Sequence, residues 1–66
     1  MWFIMPEPRF EIFLDVDKKH RFRLKAPNGE IVATSEAYES KQACRDTIKA
    51  IKKYAPTAVT KDLTLA

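Results

Sequence analysis

Apolar and polar residues alternate along two segments in the first half of the chain, residues 9–14 and 21–26. An alternation of period two is typical of a half-buried β-strand, because successive side chains point to opposite faces. The polar segment between them, residues 15–20, predicts a hairpin loop. The apolar sides of the two strands consist of Phe10, Ile12, Leu14, Phe22, Leu24 and Ala26. Together these side chains predict one buried face of an antiparallel sheet.

The dipeptide Asn28-Gly29 follows the second strand and predicts a second, tighter hairpin. Asn-Gly favours a two-residue type I′ turn, in which both central residues have positive φ. Such a turn fixes the register of a third strand, because directly opposed residues share a face in an antiparallel pair. The expected apolar pairs are Ala26 with Ile31 and Leu24 with Ala33. The sequence therefore places Ile31 in the core.

Residues 41–54 contain neither proline nor glycine and follow Ser40, so they predict a helix with Ser40 as N-cap and Pro56 just beyond its end. At about 100° per residue, apolar residues such as Cys44, Ile48 and Ile51 fall on one side. Cations gather on the other side, at Lys41, Arg45, Lys49, Lys52 and Lys53. The spacing of apolar residues in the tail, 59–66, fits either a short helix or a strand that docks on a neighbour.

The order strand, strand, strand, helix predicts an α+β fold, in which the helix covers the apolar face of a three-stranded antiparallel meander. We expect an N-terminal extension at residues 1–8, one domain at 9–58 and a tail at 59–66. The predicted core consists of Phe10, Ile12, Leu14, Phe22, Leu24, Ala26, Ile31, Cys44, Ile48 and Ile51.

The length of 66 residues and the single cysteine, Cys44, limit how such a fold can be stabilised. A chain of this size buries only about 60% of the surface that its unfolded form exposes. One cysteine cannot form an internal disulfide, and no cluster of Cys and His predicts a structural metal site. Oligomerisation is the remaining route, and we expect a homodimer.

The apolar run at residues 1–5 is interrupted by Pro6 and Pro8, so it is too short for a signal segment or a membrane span. We therefore expect a cytoplasmic protein without membrane insertion. The net charge of +3 is modest, and its distribution matters more than its size.

The string FEIFLDVDKKHRFRLKAPNGEIVATSEAYESKQACRDTIKAIKKYA resembles the YegP-like family, a small domain of unknown function. The most specific segments are residues 21–26, Asn28-Gly29-Glu30, Ser35-Glu36 with Tyr38, and Ser40-Lys41 with Ile48. The resemblance implies a strand-strand-strand-helix unit, found either as a tandem repeat or as a single copy that forms a homodimer. This chain departs from the family at Lys18-Lys19 and at Ala37, where glycine is usual. The family brings no activity to carry over.

Two sheet-face features suggest binding. Arg21, Arg23 and Lys25 lie on the polar side of the second strand, shortly after Lys18 and Lys19. One interpretation is a solvated face, and another is contact with a nucleic-acid backbone, with Phe13 stacking on a base. Glu11 and Glu36 on the same face weaken the electrostatic case for the second interpretation. A third interpretation makes Phe13 and Val32 a dimer contact, because exposed aromatic and β-branched residues favour a protein partner.

The cationic side of the helix is a second candidate for nucleic-acid binding, through Lys41, Arg45 and Lys49. Its ordinary interpretation is the solvent-exposed side of an amphipathic helix, with the aliphatic stems of the lysines covering the edge of the core. The two basic surfaces are expected on opposite sides of the unit.

Catalytic and metal chemistry have little support in the sequence. His20 has Asp17 nearby but no nucleophile, and Asp15 with Asp17 provides too few ligands for a cation. Cys44 lies on the apolar side of the helix, where packing is the ordinary role of a thiol. The sequence predicts a non-enzymatic dimeric binding or interaction module without cofactor or metal. The alternative is a nucleic-acid-binding protein that uses the basic helix and strand faces.

Overall fold

The computed structural model describes residues 7–64 and contains three strands and one α-helix. The elements are β1 (Arg9–Leu14), β2 (His20–Lys25), β3 (Ile31–Thr34) and α1 (Lys41–Tyr54), with a 3-10 turn at Ala55–Thr57. The strands form one antiparallel sheet in the order β1-β2-β3. The predicted α+β fold is confirmed. Most of the expected N-terminal extension lies outside the described residues.

The first hairpin closes through a turn in which Lys18 adopts a left-handed backbone conformation. The Asp15 N–H donates to the Lys19 carbonyl at 2.9 Å, and the Lys18 N–H donates to the Asp15 carbonyl at 3.0 Å. The Asp15 side chain also accepts from the backbone N–H groups of Asp17 (2.8 Å) and Lys19 (2.9 Å). Lys18 has φ 61°, which costs an L-residue about 1–2 kcal/mol. Strong local hydrogen bonding therefore holds a residue in an unfavourable conformation.

Replacing Lys18 with glycine is expected to stabilise the protein by up to about 1 kcal/mol, because glycine adopts positive φ without steric cost. The matched control is Lys19→Gly, where φ is not positive; added chain entropy lowers stability by about 0.5–1 kcal/mol, and loss of the exposed Lys19–Glu39 ion pair acts in the same direction. Urea unfolding followed by circular dichroism measures both. A lower free energy of unfolding for Lys18→Gly would contradict this account of the turn.

The second hairpin has a three-residue loop, so the predicted type I′ turn is wrong. The Gly29 N–H donates to the Ala26 carbonyl at 2.9 Å, and the Ala26 N–H donates to the Glu30 carbonyl at 2.8 Å. In this loop only Gly29 has positive φ, at 88°. Pro27 explains the difference, since it lacks an N–H and its fixed negative φ suits the second position of a type I turn. A glycine in left-handed conformation then completes the loop.

A register shift between Leu24 and Lys25 follows from this loop. Leu24 pairs with Ala33 as predicted, but Ile31 pairs with Lys25 rather than with Ala26. Because a shift of one residue changes the face of a side chain, Ile31 lies on the side of Lys25 and is 55% exposed. The predicted core position of Ile31 is therefore wrong. Leu14, at the end of β1, is likewise exposed in the protomer.

Beyond β3 the chain stays attached to β2 through two irregular contacts. The Ser35 N–H donates to the Phe22 carbonyl at 2.8 Å, and the Phe22 N–H donates to Ser35 Oγ at 2.9 Å. His20 and Tyr38 then exchange two backbone hydrogen bonds, of 2.9 and 2.7 Å. The Ser35 hydroxyl thus replaces a backbone carbonyl as the acceptor for the Phe22 N–H. The attachment of residues 35–38 to β2 places Tyr38 beside the core.

The helix begins where the sequence predicts. Ser40 has extended backbone angles, φ −136° and ψ 154°, and its Oγ accepts from the Ala43 N–H at 3.1 Å. The helix ends at Tyr54, and the turn that contains Pro56 follows. Residues 59–64 of the tail form neither of the two predicted elements, and Val59 and Leu63 are 76% and 86% exposed.

The core of the described protomer is small and centres on Phe22 and Cys44, its two buried side chains. The Phe22 ring meets Phe10 edge to face at 6.0 Å between centroids and stacks on Tyr38 at 6.4 Å. Helix α1 contacts β2 and β1 but not β3. The strand at this edge of the sheet therefore has no cover within the described protomer.

Candidate functional site

Glu11 offsets part of the charge of the cationic row on β2. The register of the first hairpin places Glu11 directly opposite Arg23. Its carboxylate lies 2.8 Å from Arg23 Nε, 2.8 Å from Arg9 Nε and 3.4 Å from Lys25 Nζ. Hydrogen bonds from Arg23 and then Arg9 lower the pKa of Glu11 from 4.5 to about 2. Glu11 is therefore ionised at neutral pH and bound to three cations.

The third cation of the row, Arg21, is held by Asp15. Arg21 Nε lies 2.7 Å from Asp15 Oδ2, and its Nη1 donates to the Ser35 carbonyl at 3.4 Å. The Arg21 hydrogen bond, followed by that from the Lys19 backbone, holds the pKa of Asp15 below its usual value. Asp15 thus links the first turn to the outer sheet face, so its carboxylate is not free to bind a cation from solution.

Phe13 is not a free stacking platform in the protomer. The Arg23 guanidinium lies over its ring, 4.8 Å from the centroid, in a cation–π arrangement. Phe13 is half-buried, whereas Val32 is 62% exposed. The two residues lie on opposite edge strands with β2 between them, so the structure does not bring them together.

Stability is expected to fall with acid through Glu11. A carboxylate whose pKa is lower in the folded state contributes stabilisation above its unfolded pKa, and that contribution disappears as pH falls through the folded value. For Glu11 the window runs from about pH 4.5 down to about pH 2. Urea unfolding between pH 7 and pH 2 should show a shallower acid loss for Glu11→Gln than for wild type. The loss of stability in acid that remains in Glu11→Gln includes the contribution of Asp15.

The control for this measurement is Glu30→Gln, because Glu30 is exposed and forms no ion pair among the described residues. Its acid profile should follow that of wild type. Equal profiles for Glu11→Gln and wild type would show that the Glu11 cluster does not stabilise the fold.

The helix has a second basic surface, which we call the helix cationic face. It consists of Lys41, Arg45, Lys49, Lys52 and Lys53. All five are exposed, and within residues 7–64 none forms an ion pair. The helix contains one acid, Asp46, which accepts from Gln42 Nε2 at 2.8 Å. Lys52 Nζ lies 5.8 Å from the Phe10 ring centroid, so its stem also covers the edge of the core.

The β3 edge is the most apolar exposed part of the sheet. Every residue from Ile31 to Thr34 is exposed, and none carries a charge. An edge strand presents unpaired backbone groups, and natural sheets usually protect such edges with charge, proline or a covering element. This edge lacks charge and proline within the strand, so it is suited to pair with or pack against another chain.

Groups with catalytic potential are occupied or isolated. The His20 backbone is paired with Tyr38, and its imidazole has no hydrogen-bond partner among residues 7–64. Cys44 is fully buried, and burial raises the pKa of its thiol, which suits packing. Over the same residues there is neither a cavity nor a group of three metal-ligating side chains. None of the described helices is long and apolar enough to cross a membrane.

Sequence reasoning indicated that Glu11 and Glu36, on the same face, weaken the cationic row of β2. The structure pairs Glu11 with Arg23, but it pairs Arg21 with Asp15, which the sequence reasoning missed. The available signal was the register of the first hairpin, which follows from its loop length. A loop of residues 15–19 places Glu11 opposite Arg23, whereas the hairpin pattern alone left the turn undefined. The hydroxyl of Ser35 was also missed, because its partner, the Phe22 N–H, becomes available only at an irregular sheet position.

The architecture defines a class of small α+β proteins, in which one helix covers two strands of a three-stranded meander. Residues 15–62 match the family described as "Domain of unknown function (DUF1508)". The chain belongs to this family, so the predicted YegP-like resemblance is confirmed.

Two relatives show how far the similarity extends. A "UPF0339 protein" of Treponema denticola is 54% identical over 50 residues, covering 76% of this chain and 86% of the relative. The solution structure of a protein from Haloferax volcanii is 39% identical with a TM-score of 0.78, covering 88% of this chain and 98% of that chain. The fold is thus shared with a solved structure at substantial sequence identity.

A relative from Stutzerimonas stutzeri is longer. It is 45% identical over 47 residues, which cover 71% of this chain but only 42% of the relative. The matched unit therefore also occurs within a chain more than twice the length of the match.

Proposed function

We propose that the protein is a non-enzymatic interaction module that acts as a homodimer in the cytoplasm. The observation that carries this proposal is the uncovered β3 edge. Helix α1 packs on β1 and β2 and not on β3, and Ile31 and Val32 are both more than half exposed. A second copy that covers this apolar edge removes it from water and raises the number of buried side chains.

The tail supports the same proposal. Val59 and Leu63 lie in a segment without regular secondary structure and are mostly exposed, so their apolar surface faces water in a lone protomer. If each tail docks on the other copy, both residues gain a protein environment. The longer relative from Stutzerimonas stutzeri has room for two units in one chain, which is the covalent counterpart of a dimer.

The non-enzymatic part of the proposal is supported by the state of the acidic groups. Arginine holds Glu11 and Asp15 ionised, so neither is a proton donor near neutral pH. The cytoplasmic location is supported by Cys44, since a lone buried thiol is typical of proteins in reducing compartments.

The test is the mass of the protein in solution. Light scattering coupled to gel filtration and sedimentation equilibrium, over concentrations from about 1 to 100 μM, should give twice the chain mass of 7.6 kDa. A folded monomer throughout this range, with native circular dichroism, would overturn the dimer. Dissociation on dilution, with a parallel loss of helix signal, would support the homodimer strongly, because the parallel loss shows that folding and association are linked.

A further inference from the structure

We propose that the helix cationic face binds the phosphate backbone of a nucleic acid without reading its sequence. This inference goes beyond the homodimer, since it concerns a surface that pairing through β3 does not use. It is carried by the contrast between the two basic surfaces: the cations of β2 contact carboxylates, and those of α1 form no ion pair within residues 7–64.

The cations of the helix are spaced in register along one side. Lys41, Arg45 and Lys49 are four residues apart, so they follow one another at about 6 Å along the axis. Lys52 and Lys53 extend the row to about 18 Å. Duplex DNA carries one negative charge per about 1.7 Å of axis, so a row of this length can contact several phosphates.

The cations of β2 are less available for phosphate binding. Arg23 and Lys25 share Glu11, and Arg21 is held by Asp15. Glu11 and Asp15 already contact these cations and offset two of their charges, so a phosphate there would compete with carboxylates in place. The proposed interface is therefore confined to the helix, although sequence alone indicated both surfaces.

An anionic membrane would satisfy the same charges, but the helix is poorly suited to it. A helix that lies in a bilayer interface inserts an apolar side between the lipids. Here that side packs on the sheet, where Cys44 is buried and Ile48 and Ile51 are half-buried. Only the charged side remains available, which favours a polyanion in water.

Base reading has little support on this surface. Gln42, which could contact a base edge, donates to Asp46 at 2.8 Å, and the remaining charged groups are lysines and one arginine, which contact phosphates more often than bases. Affinity should therefore depend on charge and salt rather than on sequence.

Fluorescence anisotropy tests the proposal on the full chain, with a 20-base-pair DNA duplex and a 20-nucleotide RNA as probes. Three to five phosphate contacts predict that duplex affinity falls about 40- to 500-fold between 50 and 200 mM salt. Two duplexes of unrelated sequence should bind within about threefold of each other. Absence of binding to both probe types at 50 mM salt would overturn the proposal.

The decisive variant replaces Lys41, Arg45 and Lys49 with glutamine. It should weaken duplex binding at least tenfold and make the salt slope shallower by about 2.7, the value for three lost contacts. The matched control, Arg9→Gln with Arg23→Gln and Lys25→Gln, removes the same charge from the sheet and should change affinity less than threefold.

A second control protects the comparison if the sheet variant unfolds. It replaces Lys18, Lys19 and Lys61, which lie outside both strands and helix, with glutamine. Equal loss of affinity in helix and control variants would overturn the proposal, because net charge alone would then account for binding. Binding to phosphatidylserine vesicles without binding to nucleic acid would also overturn it. The mass of each variant in solution reports separately on the homodimer.

Discussion

Phe22→Ala is expected to leave the protein largely unfolded at room temperature. Removing a buried phenylalanine costs about 3–5 kcal/mol, and a single core in a domain of this length rarely supplies more than about 3–5 kcal/mol. Phe22 is the buried aromatic residue on which Phe10 and Tyr38 pack, so its loss disconnects β1 and the segment before the helix. Circular dichroism at 25 °C should show loss of helix and strand signal.

The matched control is Phe13→Ala, which removes the same side chain from the other face of the sheet. Phe13 is half-buried beneath Arg23, so we expect a loss of only about 1 kcal/mol and a folded protein. Urea unfolding of wild type and of Phe13→Ala measures the difference between their free energies of unfolding. A folded Phe22→Ala variant, with a midpoint close to that of Phe13→Ala, would contradict the described core.

Val32→Asp is expected to weaken the proposed dimer by roughly 30-fold or more. An aspartate buried at an apolar contact without a partner costs at least about 2 kcal/mol, and 1.4 kcal/mol is a factor of ten in affinity. Val32 is 62% exposed on the uncovered edge, so the change should disturb a single protomer little. Sedimentation equilibrium measures the dissociation constant directly.

Val16→Asp is the control with identical chemistry. Val16 is 97% exposed in the first turn, away from the β3 edge, and its replacement should leave the mass in solution unchanged. Equal weakening by both variants would place the dimer contact elsewhere or indicate a general charge effect. An unaffected Val32→Asp dimer would remove β3 from the interface.

The elements were predictable because local signals agree with the tertiary structure. Alternation defines β1 and β2, and the helix begins after Ser40 as its hydroxyl suggests. The second turn was not predicted correctly, because Asn28-Gly29 was considered without the proline before it. Pro27 decides the loop length, and the loop length decides the face on which Ile31 lies.

The positions of the cations on the two candidate surfaces were predictable from the sequence, but their ion pairs were not. Cations are visible in a sequence, but their pairing depends on register across the sheet, which a hairpin of unknown loop length does not define. For this reason the sequence favours the cationic row on α1, which has only Asp46 near it, but does not show which acids pair with the cations of β2. The helix cations could be assigned correctly to one side, because helical periodicity is local and the element has a single acid.

The uncovered edge of β3 has a consequence for how the amount of protein in a cell controls its survival. If a second copy covers that edge, the folded fraction depends on concentration, and each tenfold dilution costs the assembly about 1.4 kcal/mol. A freshly made chain at low abundance would then be exposed to proteases for longer than one that joins an existing pool. Expression level would thereby set the lifetime of the protein as well as its quantity.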